Sequence, residues 1–354
     1  MKKISLVLTI FLSLTILGCG KDIPPSAPTS GASSSTSVNT PTVELSQYTS
    51  ENNEPTIPEV TTEYDSEENT NSNKRVVCWG TSLTEGSGGG GVSMPNTLER
   101  LSGATVLNYG GYAERTGCIA SRSGASKLTL TEDVTIPSSN DVPVEIFFTS
   151  EFGGFSRLLN YTDSGLNPVT VCGISGNLSR ANGENDDTHF YFTRLEPGDE
   201  TSVSSDTPII PFSVNDRRTD DICIFETGGN DDLATTEDIL ALIEKIDKMI
   251  AFSGSDKYLI ISELNSHERV PVSDEVNERF EDHYKKHFVN FREYLIKDAF
   301  TDLNMPPSEG DLEDISNYEI PRYFRSDDVH GNALYYFLFG QQVYKKCQEL
   351  GYLN

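Results

Sequence analysis

Val76-Val77-Cys78-Trp79-Gly80-Thr81-Ser82-Leu83-Thr84-Glu85-Gly86 is the stretch on which the fold turns. Four apolar residues, a glycine and then hydroxyl side chains read as a short buried strand, 76–79, that runs straight into a turn and a helix start. Runs of the same texture recur at 105–108, 222–226, 258–262 and 288–291. Helical patterns lie between or after them. Residues 236–251 set Ile239, Leu242, Ile243, Ile246 and Ile250 on one face, with Thr235 or Thr236 as the cap. Residues 276–286 and 333–350 repeat that pattern. Alternating strands and helices predict an α/β fold, a three-layer sandwich around a five-stranded parallel sheet. Ligands of such sheets sit outside the carboxyl ends of the strands.

Residues 126–217 have another texture. Strand-like runs at 127–130, 144–149, 169–174, 189–193 and 209–212 are separated by Gly, Asn, Asp and Pro, without a helical period. A structureless loop of that length inside a domain would be implausible, so the segment reads as an inserted all-β subdomain. The main domain then comprises 75–125 and 218–354.

The chain starts with Lys2 and Lys3, continues through an apolar stretch over 4–17, and reaches Ile16-Leu17-Gly18-Cys19. The apolar stretch is too short to span a bilayer. Its layout reads as a signal peptide, 1–19, and its end resembles the bacterial lipobox. That resemblance implies a lipid on Cys19 and a chain anchored on the bacterial cell envelope. Gly20 in place of Asp favours the outer membrane or cell surface in a host with two membranes. Residues 20–74 are dominated by Ser, Thr, Pro, Asn and Glu, and read as a disordered tether.

The 354 residues carry 27 Lys+Arg against 54 Asp+Glu, a net charge of −27. That balance argues against a nucleic-acid partner, which needs basic patches to displace counterions, and against a polybasic membrane surface. Among the 6 cysteines there is no Cys-x-x-Cys, so a thiolate zinc site is not expected. Cys78 and Cys223 sit in apolar runs and read as buried thiols. His283 and His287 lie four apart, but no glutamate completes a metalloprotease motif, and no metal is expected.

Chemistry gathers after the strands. The first is followed by Gly80-Thr81-Ser82, the second by Asn108-Tyr109-Gly110-Gly111, and the third by Gly228-Gly229-Asn230-Asp231. Asp327-Asp328-Val329-His330 precedes the last helix. A neutral histidine beside a serine takes its proton, and a carboxylate fixes the histidine tautomer. In order and placement these four blocks resemble those of the SGNH (GDSL-type) hydrolases, over 75–123 and from 221 onward. The resemblance implies a flavodoxin-like core and a serine esterase without a cofactor. Ser82 would be the nucleophile, His330 the base and Asp327 its orienter. The Ser82 and Gly110 N–H groups and the Asn230 amide would form the oxyanion hole.

Thr81 stands where that family usually has Asp, and Gly110-Gly111-Tyr112-Ala113 replaces its usual Gly-x-x-Gly. Glu114 and Arg115 read either as substrate contacts or as a solvated pair. Asp231 and Asp232 read as helix-start residues, and Gly86 to Gly91 as a flexible lip beside Ser82. No Gly-x-Ser-x-Gly elbow occurs, and the Gly-rich run lacks the Lys-Ser/Thr of a phosphate loop. The expected substrate is an acyl ester, for instance an acetylated glycan of the envelope, a choice resting on the expected location. An acyltransferase sharing the acyl-enzyme, and a glycan-binding module with a vestigial triad, are the alternatives.

Overall fold

The structure, a computed structural model, describes residues 71–180, 189–264 and 270–354. Cys19, the expected signal peptide and the expected tether up to residue 70 lie outside the described residues. Packed chain is already in place at Asn71, whose buried amide donates to the carbonyls of Ser102 (3.0 Å) and Asn354 (2.9 Å).

The strands begin with β1 (Arg75–Gly80) and β2 (Thr105–Gly110). Short ones follow: β3 (Leu128–Leu130), β4 (Val134–Ile136), β5 (Val144–Ile146), β6 (Phe148–Ser150), β7 (Val169–Val171), β8 (Ile174–Arg180), β9 (Phe190–Arg194), β10 (Thr201–Val203) and β11 (Pro208–Ile210). Last come β12 (Ile222–Phe225), β13 (Tyr258–Ile261) and β14 (Phe288–Val289). The helices that matter here are α1 (Ser82–Glu85), α2 (Met94–Ser102), α3 (Thr116–Ser123), α4 (Thr236–Ser253), α5 (Val270–Tyr284) and α6 (Ala333–Glu349).

A five-stranded sheet has the order β14-β13-β12-β1-β2, with every pair parallel. β1 and β12 are buried along their whole length, which is why they read as apolar runs. Side chains alternate between the two faces. Val76, Cys78, Ile222 and Ile224 pack with Met94 and Leu98 of α2 and Phe337 and Phe339 of α6. Val77, Trp79, Cys223 and Phe225 pack with Ile119 of α3, Leu242 and Ile246 of α4 and Phe280 of α5. Thr235 caps α4 in a reciprocal box with Asp238. From β1 the chain goes one way to β2 and the other way to β12. The strand order therefore reverses at β1, and a crevice opens above its carboxyl end.

The segment between α3 and β12 is antiparallel β-structure apart from one helical turn, Phe212–Asp216, where strand was expected to continue to Phe212. Seven strands pair in the order β5-β9-β8-β7-β11-β3-β6, and β10 pairs with β4. The run expected as one strand over 144–149 breaks at Phe147 into β5 and β6. Those two are the opposite ends of the seven-stranded order. Laid flat, they would stand roughly 29 Å apart at ~4.8 Å per strand, yet two residue steps reach at most about 7 Å. The sheet therefore rolls on itself around Leu128, Ile146, Phe148, Val169, Phe190 and Ile209. The expected strand over 169–174 also splits, because Cys172 (φ 49°) and Gly173 (φ 80°) make the turn between β7 and β8.

This unit is docked on α3, all 8 of whose residues are buried. Cys118 belongs to the apolar cluster of the rolled sheet, while Ile119 and Ala120 belong to that of the parallel sheet. A Cβ on Gly117 would lie 2.2 Å from the Gly153 carbonyl oxygen, so only glycine allows this approach. The Ser150 hydroxyl lies 2.9 Å from that of Ser121 and 2.6 Å from that of Ser126.

Candidate active site

β1 delivers Thr81 as the N-cap of α1, its hydroxyl accepting from the Leu83 N–H at 3.2 Å, and Ser82 is the first residue of that helix. Ser82 is 5 % exposed. Its Oγ lies 3.1 Å from His330 Nε2, and His330 Nδ1 lies 2.9 Å from Asp327 Oδ2. The other Asp327 oxygen accepts the N–H groups of Val329 and His330, both at 2.7 Å. Burial pushes the Asp327 carboxyl up, but the hydrogen bonds from the His330 N–H, the His330 ring and the Val329 N–H outweigh it, and the group sits below the usual carboxylate range. A carboxylate kept ionised holds the ring proton on Nδ1 and turns the Nε2 lone pair toward Ser82.

Behind Ser82, one oxygen of the buried Glu226 accepts from the Thr81 N–H (2.9 Å), the Thr81 hydroxyl (2.8 Å) and the Thr84 hydroxyl (3.1 Å). Burial pushes the Glu226 carboxyl up against the pull of these hydrogen bonds. An aspartate at 81 would put a second carboxylate against Glu226. The hydroxyl of threonine supplies a donor instead.

Gly110 requires a correction. Its N–H donates to Asn108 Oδ1 at 3.0 Å and is therefore not open to an oxyanion. Its lack of a side chain serves packing, because a Cβ there would lie 2.1 Å from the backbone nitrogen of Glu85 in α1. In the same loop Ala113 takes a left-handed conformation, φ 56°, and its N–H has no hydrogen-bond partner among the described residues. The Ser82 N–H is likewise unpaired among them. Asn230 donates one amide hydrogen to the Glu114 carbonyl at 2.9 Å, which brings its side chain to this loop. The Tyr112 ring lies 5.9 Å from the His330 ring at 25°, which sets the loop beside the histidine.

Glu114 and Arg115 do not pair with each other. Arg115 meets Asp232 at 2.6 Å. Glu114 is buried, and one of its oxygens accepts from Arg122 Nε (2.8 Å) and Nη2 (2.6 Å). Burial pushes the Glu114 carboxyl up, and Arg122 pulls it back without cancelling the effect. Arg122 also donates to the carbonyls of Tyr109 (3.0 Å) and Ser164 (2.5 Å), so one buried guanidinium joins the end of β2, the loop and the rolled sheet. Asp231 serves a helix start, that of α3, by accepting from the Thr116 N–H (3.0 Å) and hydroxyl (2.7 Å). The glycine-rich run after α1 packs on the histidine segment, and Tyr336 Oη donates to the Ser87 carbonyl at 2.6 Å.

His283 and His287 have separate partners, the Asp247 carboxylate at 2.9 Å and the Tyr258 carbonyl at 3.0 Å. Among the described residues no group of three or more His, Cys, Asp or Glu is placed to hold a metal ion. Asn230→Ala tests the loop directly. If the amide binds a developing oxyanion, kcat should fall ~10²–10³-fold with little change in KM. A change confined to KM would mean that Asn230 holds ground-state substrate.

Fold and site together define a parallel-sheet α/β protein with a hydrogen-bonded Ser-His-Asp set at the strand ends. No family model matches the chain, and no curated protein matches it either. One solved structure that overlaps it, from Desulfitobacterium hafniense, is described as a "putative lipolytic protein of G-D-S-L family". The two share 12 % identity over 77 % of this chain and 99 % of the other, with a TM-score of 0.41. An overlap that loose transfers neither residues nor activity.

Proposed function

We propose that the chain is a serine esterase of the SGNH type, with a flavodoxin-like core, hydrolysing acyl esters. The observation that carries this reading is the run of contacts from Ser82 Oγ to His330 (3.1 Å) and from His330 to Asp327 (2.9 Å) at the point where the strand order reverses. His330 Nε2 takes the Ser82 proton as Oγ attacks the ester carbonyl. The negative oxygen of the tetrahedral intermediate is held by the N–H groups of Ser82 and Ala113 and by the second amide hydrogen of Asn230. His330 returns the proton to the departing alcohol. It then deprotonates the water that attacks the acyl-enzyme carbonyl, and returns that proton to Ser82 Oγ as the Ser82–acyl bond breaks and the acid leaves. These donors are fixed before the reaction starts, so they cost little reorganisation as charge develops.

The lipobox resemblance around Cys19 supports a lipid-anchored chain on the cell envelope, and with it a substrate among envelope or extracellular esters. The test is covalent. A fluorophosphonate, whose phosphorus is attacked as an ester carbonyl would be, should label the full chain once, and peptide mass spectrometry should place the adduct on Ser82. An adduct on another residue, or none, would overturn the reading.

A further inference from the structure

Large side chains are exposed at the mouth of the site. Tyr112 is 40 %, Tyr161 44 % and Val329 47 % exposed. Tyr112 flanks His330, and Tyr161, contributed by the rolled β unit, meets Tyr112 edge to face with centroids 4.9 Å apart at 77°. The loop carrying Tyr161 is held in place. Arg180 Nη1 takes the carbonyls of Ser156 (2.7 Å) and Leu158 (3.1 Å), and Arg157 donates to the Ala113 carbonyl at 2.7 Å. This aromatic corner therefore stands ready before substrate arrives.

We propose that Tyr112 and Tyr161 form a subsite for an uncharged sugar ring that carries the acyl group as the alcohol part of the ester. The proposal rests on the esterase reading above and names its substrate class. His330 must protonate the leaving oxygen, so the alcohol occupies the histidine side of the site, and Tyr112 lies on that side. A pyranose presents an apolar face of C–H groups and a polar rim of hydroxyls. It can lay that face on one tyrosine ring while its rim reaches water and the phenol hydroxyls. A small aryl alcohol would call for an enclosing pocket, whereas these rings are open to solvent, as suits one unit of a hydrated chain. The Asp327 carboxylate, held ionised beside His330, disfavours an anionic sugar there.

The experiment compares three acetyl esters on the full chain: ethyl acetate, phenyl acetate and the positional isomers of mono-O-acetyl methyl glucopyranoside. Wild type should favour one sugar isomer over ethyl acetate in kcat/KM. Tyr161→Ala should cost about tenfold on that isomer, through KM. It should leave ethyl acetate unchanged, and Tyr161→Phe should retain most of the sugar activity. Equal losses on all three esters, or no loss on the sugar, would overturn the subsite while hydrolysis of ethyl acetate left the esterase reading standing. A larger loss on phenyl acetate than on the sugar would overturn the sugar assignment. A wild-type chain that hydrolyses none of the three would overturn both readings.

Discussion

Exchanging Ser82 for alanine is expected to lower kcat by ~10⁴–10⁶-fold, leaving the residual rate that binding and oxyanion contacts provide without a nucleophile. The only hydrogen bond made by the Ser82 hydroxyl among the described residues is to His330. Its removal therefore strands no other buried polar group, and the backbone N–H stays in place. Acid release should collapse while the circular dichroism spectrum and the thermal midpoint stay close to wild type. A variant that folds normally and keeps most of its turnover would place the nucleophile elsewhere.

Arg122→Met should produce the largest loss of stability. The guanidinium is fully buried and is the ion-pair partner of the buried Glu114 carboxylate. Breaking a buried pair from one side typically costs ~3–5 kcal/mol, because the other charge is left uncompensated. In a domain of this size that lowers the thermal midpoint by on the order of 10 °C. Two further measurements separate a stranded charge from lost packing. Adding Glu114→Gln to Arg122→Met should restore a large part of the loss. The deficit should also shrink as pH falls. Burial raises the folded-state Glu114 carboxyl even beside Arg122, and loss of Arg122 removes the opposing pull. The variant therefore gains more than wild type from protonation, a gain full below the unfolded value of about 4.3 and lost as pH rises through the variant's folded one. A deficit independent of pH and of Glu114→Gln would show that packing alone was at stake. Activity should fall as well, since Asn230 is oriented by the carbonyl of Glu114.

The parallel sheet is legible in the sequence because strands covered on both faces must be apolar along their covered length, and residues 76–79 of β1, with β12 and β13, obey that rule. β2 obeys it less well. It is an edge strand with partly exposed positions, and its pairing could be expected but its exposure could not. Short antiparallel strands give weaker signals. Nothing about Cys172 announces a turn, since a non-glycine residue with positive φ carries no compositional mark, and Phe147 looks like any strand residue although the chain bends there. In the site, the residues that make direct contact were legible and their supports were not. Ser82, Asp327, His330 and Asn230 sit in recognisable blocks. Arg122 lies in a helix where arginine ordinarily implies solvent. The backbone of Ala113 takes a conformation usually reserved for glycine, which hides it behind the two glycines that precede it. Tyr161 lies about fifty residues further along, in a segment with no catalytic motif, and only the docking of the rolled sheet on α3 carries it toward the histidine.

The rolled sheet bears on crowding. A flat antiparallel sheet ends in two rows of unpaired N–H and C=O groups, to which a strand from a neighbouring molecule can add. Here both ends of the seven-stranded order belong to one bent segment, β5-Phe147-β6. The two margins are drawn together and neither faces outward as a long straight ladder. Each margin is a strand of only 3 residues on one bend, a short template for self-association by strand addition in the part of the described molecule richest in β-structure.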